Sequence, residues 1–224
     1  EPVMLPLYML TPEGDSIANE DSQKYNLYTM GYAEIKEFDG GSKGNVRFPK
    51  QQKMKTYKPL LSEVFDTVAA TITKENLQPV TFNIEIKSVP EAYDLFQPQP
   101  EAFVTLVMQV IQNKNMQEQV NVQSFDPAIL EVMHTKYPEI ELAYLVGENT
   151  YEENKKNLSF TPEIYSPYFK LLNPDEVATI RNDGLKVIPW TVNEPEDIKQ
   201  IIALKVDAII TDYPERVLKA LKQE

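Results

Sequence analysis

From residue 120 onward the chain repeats one unit. A short apolar stretch is followed by a turn, often opened by Pro or Asp, and then by a helical or irregular segment, about every 20 residues. The apolar stretches are 120–125, 142–146, 164–166, 187–192 and 207–212, and a related one lies upstream at 81–87. Crossovers of this length return the chain to the same end of a sheet, so the strands run parallel. No strand is followed by a glycine-rich phosphate loop, which disfavours a dinucleotide-binding sheet and favours a (β/α)8 barrel. Six such strands are expected, two short of the eight that close a barrel. The expected fold class is therefore an α/β TIM barrel that lacks its beginning, with unpaired strand edges.

Local chemistry sets the helices. Pro59 introduces an amphipathic segment with Leu60, Leu61, Val64, Phe65, Val68, Ala69 and Ile72 at helical spacing. A second helix is expected over 101–113, with Phe103, Leu106, Val107, Val110 and Ile111 on one face. Asp126-Pro127 and Asn173-Pro174 are cap-plus-proline starts, Gly184 is a helix stop, and Pro195 opens a further helix. Asp212 and Glu215 frame the last helix, Asp212 as its expected cap. A polar helix is expected over 151–157. Residues 1–50, with the loop 39–45 and one short helix carrying Tyr32, Ile35 and Phe38, are expected to be a small excursion on a barrel domain formed by 51–224.

The segment 81–88 carries charge into this pattern. Phe82, Ile84 and Ile86 alternate with Asn83, Glu85 and Lys87, so the strand has one apolar and one polar face. The polar face either lies wet on an outer surface or points toward a barrel axis, where charges need partners or an ion. In the barrel case Glu85 offers oxygen to a hard cation and Lys87 holds an anionic oxygen. The carboxyl ends of the other strands bring Gln123, Ser124, Phe125, Gly147, Glu148, Tyr165, Ser166, Trp190, Thr191, Asn193, Thr211 and Asp212 to the same rim. Trp190 taken alone reads as core packing before it reads as a ligand platform. His134 is the one histidine of the sequence and falls within an outer helix.

Composition narrows the partners. Lys and Arg number 22 against 34 Asp and Glu, a net charge of −12. That balance repels nucleic acid and anionic membrane surfaces at long range. No apolar run approaches membrane-spanning length. With no cysteine in the sequence, disulfides and thiolate metal sites are excluded.

Five segments together carry a resemblance. Phe82-Asn83-Ile84-Glu85-Ile86-Lys87, Val122-Gln123-Ser124-Phe125-Asp126, Ala143-Tyr144-Leu145-Val146, Val187-Ile188-Pro189-Trp190-Thr191-Val192-Asn193 and Asp207-Ala208-Ile209-Ile210-Thr211-Asp212-Tyr213-Pro214 resemble, in order and spacing, the glycerophosphodiester phosphodiesterase family. Pro59-Leu60-Leu61-Ser62-Glu63-Val64 is similar to the helix that precedes the family's Asn-Ile-Glu strand. The resemblance implies a TIM barrel of the phospholipase-C-like phosphodiesterase type. It implies hydrolysis of glycerophosphodiesters, a small-molecule substrate, to glycerol 3-phosphate and an alcohol, with a divalent cation, Ca2+ or Mg2+. By the same resemblance Glu85 is a metal ligand, Lys87 and Gln123 bind substrate, and Phe125 and Trp190 wall the cleft. The family's His-Arg-Gly motif, its Glu-x-Asp ligands and its second catalytic histidine are absent from this sequence, and the resemblance puts them upstream of it. The expectation is that this polypeptide alone is inactive. Two other readings are a glycerophosphate-binding barrel without turnover and a related phosphodiesterase of sphingolipid or lysophospholipid headgroups.

Overall fold

The computed structural model describes residues 2–222 of the chain. These divide into two compact units, one formed by residues 2–80 with 89–115 and the other by 81–88 with 116–222.

The first unit has a small core of Met4, Met9, Ile17 and Phe38, with Tyr25 set edge-on against Phe38 at 5.1 Å. Its α-helices are α1 (Tyr32–Ile35), α2 (Leu61–Glu75) and α3 (Pro100–Asn113). Glu63 reaches back to accept the backbone N–H of Leu60 at 3.1 Å, and Asn76 ends α2 in the left-handed conformation. The buried side of α3 is Val104, Met108 and Ile111, whereas Leu106 is 55% exposed. The expected stripe was therefore rotated: i, i+4 and i+7 define the face, and Leu106 stands off it.

Asp39 organises the loop of this unit. Its Oδ1 accepts from the backbone N–H groups of Gly41 (2.9 Å), Ser42 (3.1 Å) and Thr56 (3.3 Å). Burial raises the pKa of this carboxyl, but the Ser42 side chain and the three N–H donors outweigh it and lower the value from 3.8 to about 2. A depressed folded-state pKa gives stability that is present above 3.8 and is lost as pH falls through about 2. Asp39→Asn is therefore expected to lower the melting temperature at pH 6 and to converge with the wild type between pH 4 and 2. Melting curves that differ equally at both ends of that range would refute the assignment.

The second unit is a five-stranded parallel sheet in sequential order: β1 (Phe82–Glu85), β2 (Val120–Ser124), β3 (Glu141–Val146), β4 (Ile164–Pro167) and β5 (Lys186–Val187). Its helices are α4 (Pro127–Lys136), α5 (Tyr151–Asn154, continued by a 3-10 turn), α6 (Pro174–Asn182), α7 (Pro195–Ala203) and α8 (Pro214–Leu221). The expected caps are in place. Asp126 accepts from Ala128, Asn173 accepts from Glu176, and Gly184 follows α6 at φ +87°. Strictly sequential strand order is the winding of a barrel rather than of a doubly wound sheet, in which the order reverses.

The last two expected strands are less regular than their sequences suggest. Pro167 and Pro189 have no N–H to donate, so the regular ladder of β5 ends at Val187. The path continues through Ile188 N–H to Tyr165 O, Trp190 N–H to Pro167 O and a bridge between Tyr168 and Trp190. Residues 207–211 lie beside this segment without forming a regular strand. Asp207 N–H donates to Val187 O, Ile210 N–H to Pro189 O, and Val192 N–H to Ile210 O. Asp212 does not cap α8. Its carboxylate accepts from Asn193 Nδ2 at 2.8 Å, and Tyr213 occupies the cap position with no side-chain bond.

Candidate functional site

Register decides which side chains share a face. Ser124, Tyr144, Tyr165 and Val187 form one row across β2 to β5. That row looks at the helices: Tyr165 meets the ring of Tyr151 in α5 at 5.0 Å and accepts from Asn154 Nδ2 at 2.9 Å. Burial pushes the Tyr165 phenol up to about 12, against the lowering contact from Asn154, so it carries no proton chemistry near neutrality. Tyr165 and Ser124 were expected at the working rim. Each is turned to the helix side instead, because strand alternation is fixed at two.

The opposite row is Glu85, Gln123, Ala143 and Ile164. Two residues further along, alternation adds Lys87 and Phe125, and two further again Gly147, Tyr168 and Trp190. At the carboxyl end of β1, Lys87 Nζ lies 3.0 Å from Glu85 Oε1, with the lysine side chain 50% and the glutamate 23% exposed. A pair this open to solvent contributes little to stability. It is reachable by a ligand. Beside Glu85, Gln123 is buried, and its Oε1 has no hydrogen-bond partner among the described residues. A buried acceptor without a protein partner is costly, and this one, beside a carboxylate, is left for a water or a ligand group to satisfy.

Aromatic rings border the same face. Phe125, 43% exposed, stands edge-on to Trp190 at 5.3 Å, and the ring of Tyr168 is tilted against Trp190 at 5.6 Å. Trp190 Nε1 donates to Ser166 O at 2.8 Å, which fixes the indole plane. A Cβ at Gly147 would come within 3.9 Å of the indole edge, so this glycine belongs to the same corner. The sequence pattern of this strand, 164–166, stops short of Tyr168. Its position, four residues after Ile164 and hence on the same face, was the available signal.

Several other rim residues bond within the fold. Thr211 Oγ1 and Asp212 N–H both donate to Asn193 Oδ1, and Ser166 Oγ donates to Ile188 O. His134 is exposed on α4 and stacked on Phe160 at 3.9 Å. Among the described residues no three His, Cys, Asp or Glu side chains come together as a metal cluster. The donor chemistry at Glu85 and Gln123 nevertheless suits Mg2+, which takes one or two carboxylates and fills its shell with water and ligand oxygens.

A sheet wound in one direction, helices on one face and an ion pair with aromatic rings at the carboxyl ends of the other define an α/β protein of the TIM-barrel type. The chain belongs to the glycerophosphoryl diester phosphodiesterase family, whose model matches residues 15–216. A glycerophosphodiester phosphodiesterase of Caldanaerobacter subterraneus is 28% identical over 192 residues, which is 85% of this chain and 70% of the relative. A solved structure from Silicibacter pomeroyi DSS-3, provisionally named as a glycerophosphoryl diester phosphodiesterase, is 25% identical with a TM-score of 0.84, covering 100% of this chain and 77% of its own. An Oleispira antarctica phosphodiesterase, solved with the product sn-glycerol-3-phosphate, shares the fold at 21% identity and a TM-score of 0.65, over 88% of this chain and 72% of its own. No helix among the described residues is long and apolar enough to cross a membrane.

Proposed function

We propose that the carboxyl edge of this sheet binds the phosphate and glycerol of a glycerophosphodiester, in an enzyme that hydrolyses such diesters to glycerol 3-phosphate and an alcohol. The observation that carries this reading is the solvent-reachable Glu85 and Lys87 pair set beside the unpartnered oxygen of Gln123. Lys87 offers an ammonium to a phosphate oxygen. Glu85, with Gln123 beside it, offers oxygens to Ca2+ or Mg2+, and such an ion neutralises charge on the phosphate. Phe125 and Trp190 form the apolar wall against the glycerol carbons. The family match and the product-bound Oleispira relative support the substrate class.

Acid–base chemistry is the missing part. The only histidine of the sequence stacks on Phe160 on an outer helix, and general acids and bases contribute about 10²–10⁴-fold each. This 224-residue polypeptide is therefore expected to bind glycerol 3-phosphate in the presence of Mg2+ or Ca2+ without releasing choline from glycerophosphocholine. Calorimetry and a choline-release assay on the same preparation test both halves. Choline release that stops on adding a chelator would overturn the second half. Absence of binding with either ion would overturn the first, and with it the assignment of the site.

A further inference from the structure

Lys87 lies beyond the last ladder pair of β1, which joins Glu85 to Gln123. Its backbone is nevertheless fastened on both sides to the same point in the fold. On one side Ile86 N–H donates to Gln123 O at 2.9 Å, and Ile86 O accepts from Ser124 Oγ at 2.8 Å. On the other side Ser88 Oγ donates to Asp126 Oδ2 at 2.6 Å. The two attachments are themselves joined, since Asp126 N–H donates to Ser124 Oγ at 3.1 Å. Asp126 Oδ1 in turn accepts from Ala128 N–H at the start of α4. Ser88, Ser124 and Asp126 are 5%, 0% and 3% exposed, so water competes little for these bonds.

We propose that Ser88 and Asp126, with Ser124, form a buried clamp that positions Lys87 and Glu85 for the phosphate and its cation. This rests on the binding role given to that pair above. The clamp transmits the rigidity of α4 and β2 to the end of β1. Hydrogen bonds to a carboxylate are short and strong, and Asp126 divides its two oxygens between strand end and helix start. A displacement of about 1 Å in a positioned group is enough to cost about 10²-fold in rate, and fixing the Cα of a lysine limits the volume its flexible four-carbon stem can search. Ser88 and Asp126 touch no ligand in this scheme. They are positioning residues.

Ser88→Ala removes the strand-end contact and leaves the cap on α4 intact, so it is the primary variant; Asp126→Asn, which risks α4 itself, is secondary. Amide hydrogen exchange reads the clamp without any ligand. Ser88→Ala is expected to speed exchange at residues 86–88 about tenfold while β3 amides stay as in the wild type. In calorimetry with Mg2+, the same variant is expected to weaken glycerol 3-phosphate about tenfold. Ser88→Thr, which keeps the hydroxyl, is expected to restore both. Without divalent cation, where the ammonium alone meets the phosphate, the double variant Ser88→Ala/Lys87→Met is expected to bind no more weakly than Lys87→Met alone. Unchanged exchange in Ser88→Ala, or additive losses in the double variant, would overturn the clamp. A wild type that binds no glycerol 3-phosphate would instead sink the site assignment, and the exchange measurement would still decide the clamp.

Discussion

Lys87→Met is expected to weaken glycerol 3-phosphate binding by about 10- to 100-fold, the largest functional effect of any single change in this chain. The estimate follows from the worth of a hydrogen bond to a charged group, about 1.5–3 kcal/mol, with a tenfold change in affinity for every 1.4 kcal/mol. Methionine keeps the length and apolar stem of lysine, so the loss reports the ammonium and not the packing. Half of the Lys87 side chain is in solvent, so the effect is also expected to shrink as salt rises. Glu85→Gln makes the complementary prediction. It frees Lys87 from its 3.0 Å partner and removes the carboxylate, so binding without divalent cation is expected to hold or improve. The gain on adding Mg2+ is expected to vanish. Calorimetric titrations of the three proteins, with and without Mg2+, decide both points. Wild-type affinity in Lys87→Met, or a full Mg2+ response in Glu85→Gln, would remove the basis for the site.

A large loss of stability is expected at Leu130, one turn into α4. Ile129, Leu130 and Met133 are each 0% exposed, and α4 lies against β2 and β3. Leu130→Ala deletes buried methyl groups and leaves a cavity, which costs about 2–5 kcal/mol. For comparison, Leu106→Ala on α3 removes a side chain that is 55% exposed, and such surface changes fall within about 0.5 kcal/mol. Urea unfolding of both variants measures the contrast. Equal midpoints would mean that α4 is not packed as described. Because Asp126 sits at the start of the same helix, loosening α4 is also expected to disturb the end of β1.

How much was legible before the fold was known depended on the range of the interaction. Caps are local: Asp126 with Pro127, Asn173 with Pro174, and Gly184 each act within a few residues, and the structure bears them out. Strands β2 and β3 were legible for the same reason, being short apolar runs bounded by turns. Where proline interrupts donors across two neighbouring strands, the local pattern misleads. Residues 187–192 and 207–212 read as strands, yet only Lys186–Val187 forms a ladder and 207–211 follows through scattered hydrogen bonds. Asp212 shows the same limit. An acid before Pro214 reads as a cap, but Asn193, 19 positions away, claims it.

For the site, the Glu85 and Lys87 pair was legible because two-residue spacing puts both on one side of any strand. Which side that is depends on strand order, and order emerges only from pairing. The convergence of Phe125, Tyr168 and Trp190 from three strand ends, and the bond from Ser88 to Asp126 across 38 positions, belong to register and winding. The amino-acid order by itself determined the strand alternation at 81–87, the cap-and-proline helix starts at Asp126 and Asn173 and the family, since these depend on residues close together in the chain. The tertiary structure alone decided that the Glu85 and Lys87 pair is open to solvent and which buried groups bond the backbone around it. Those depend on contacts whose free energy appears only after the intervening chain has been ordered.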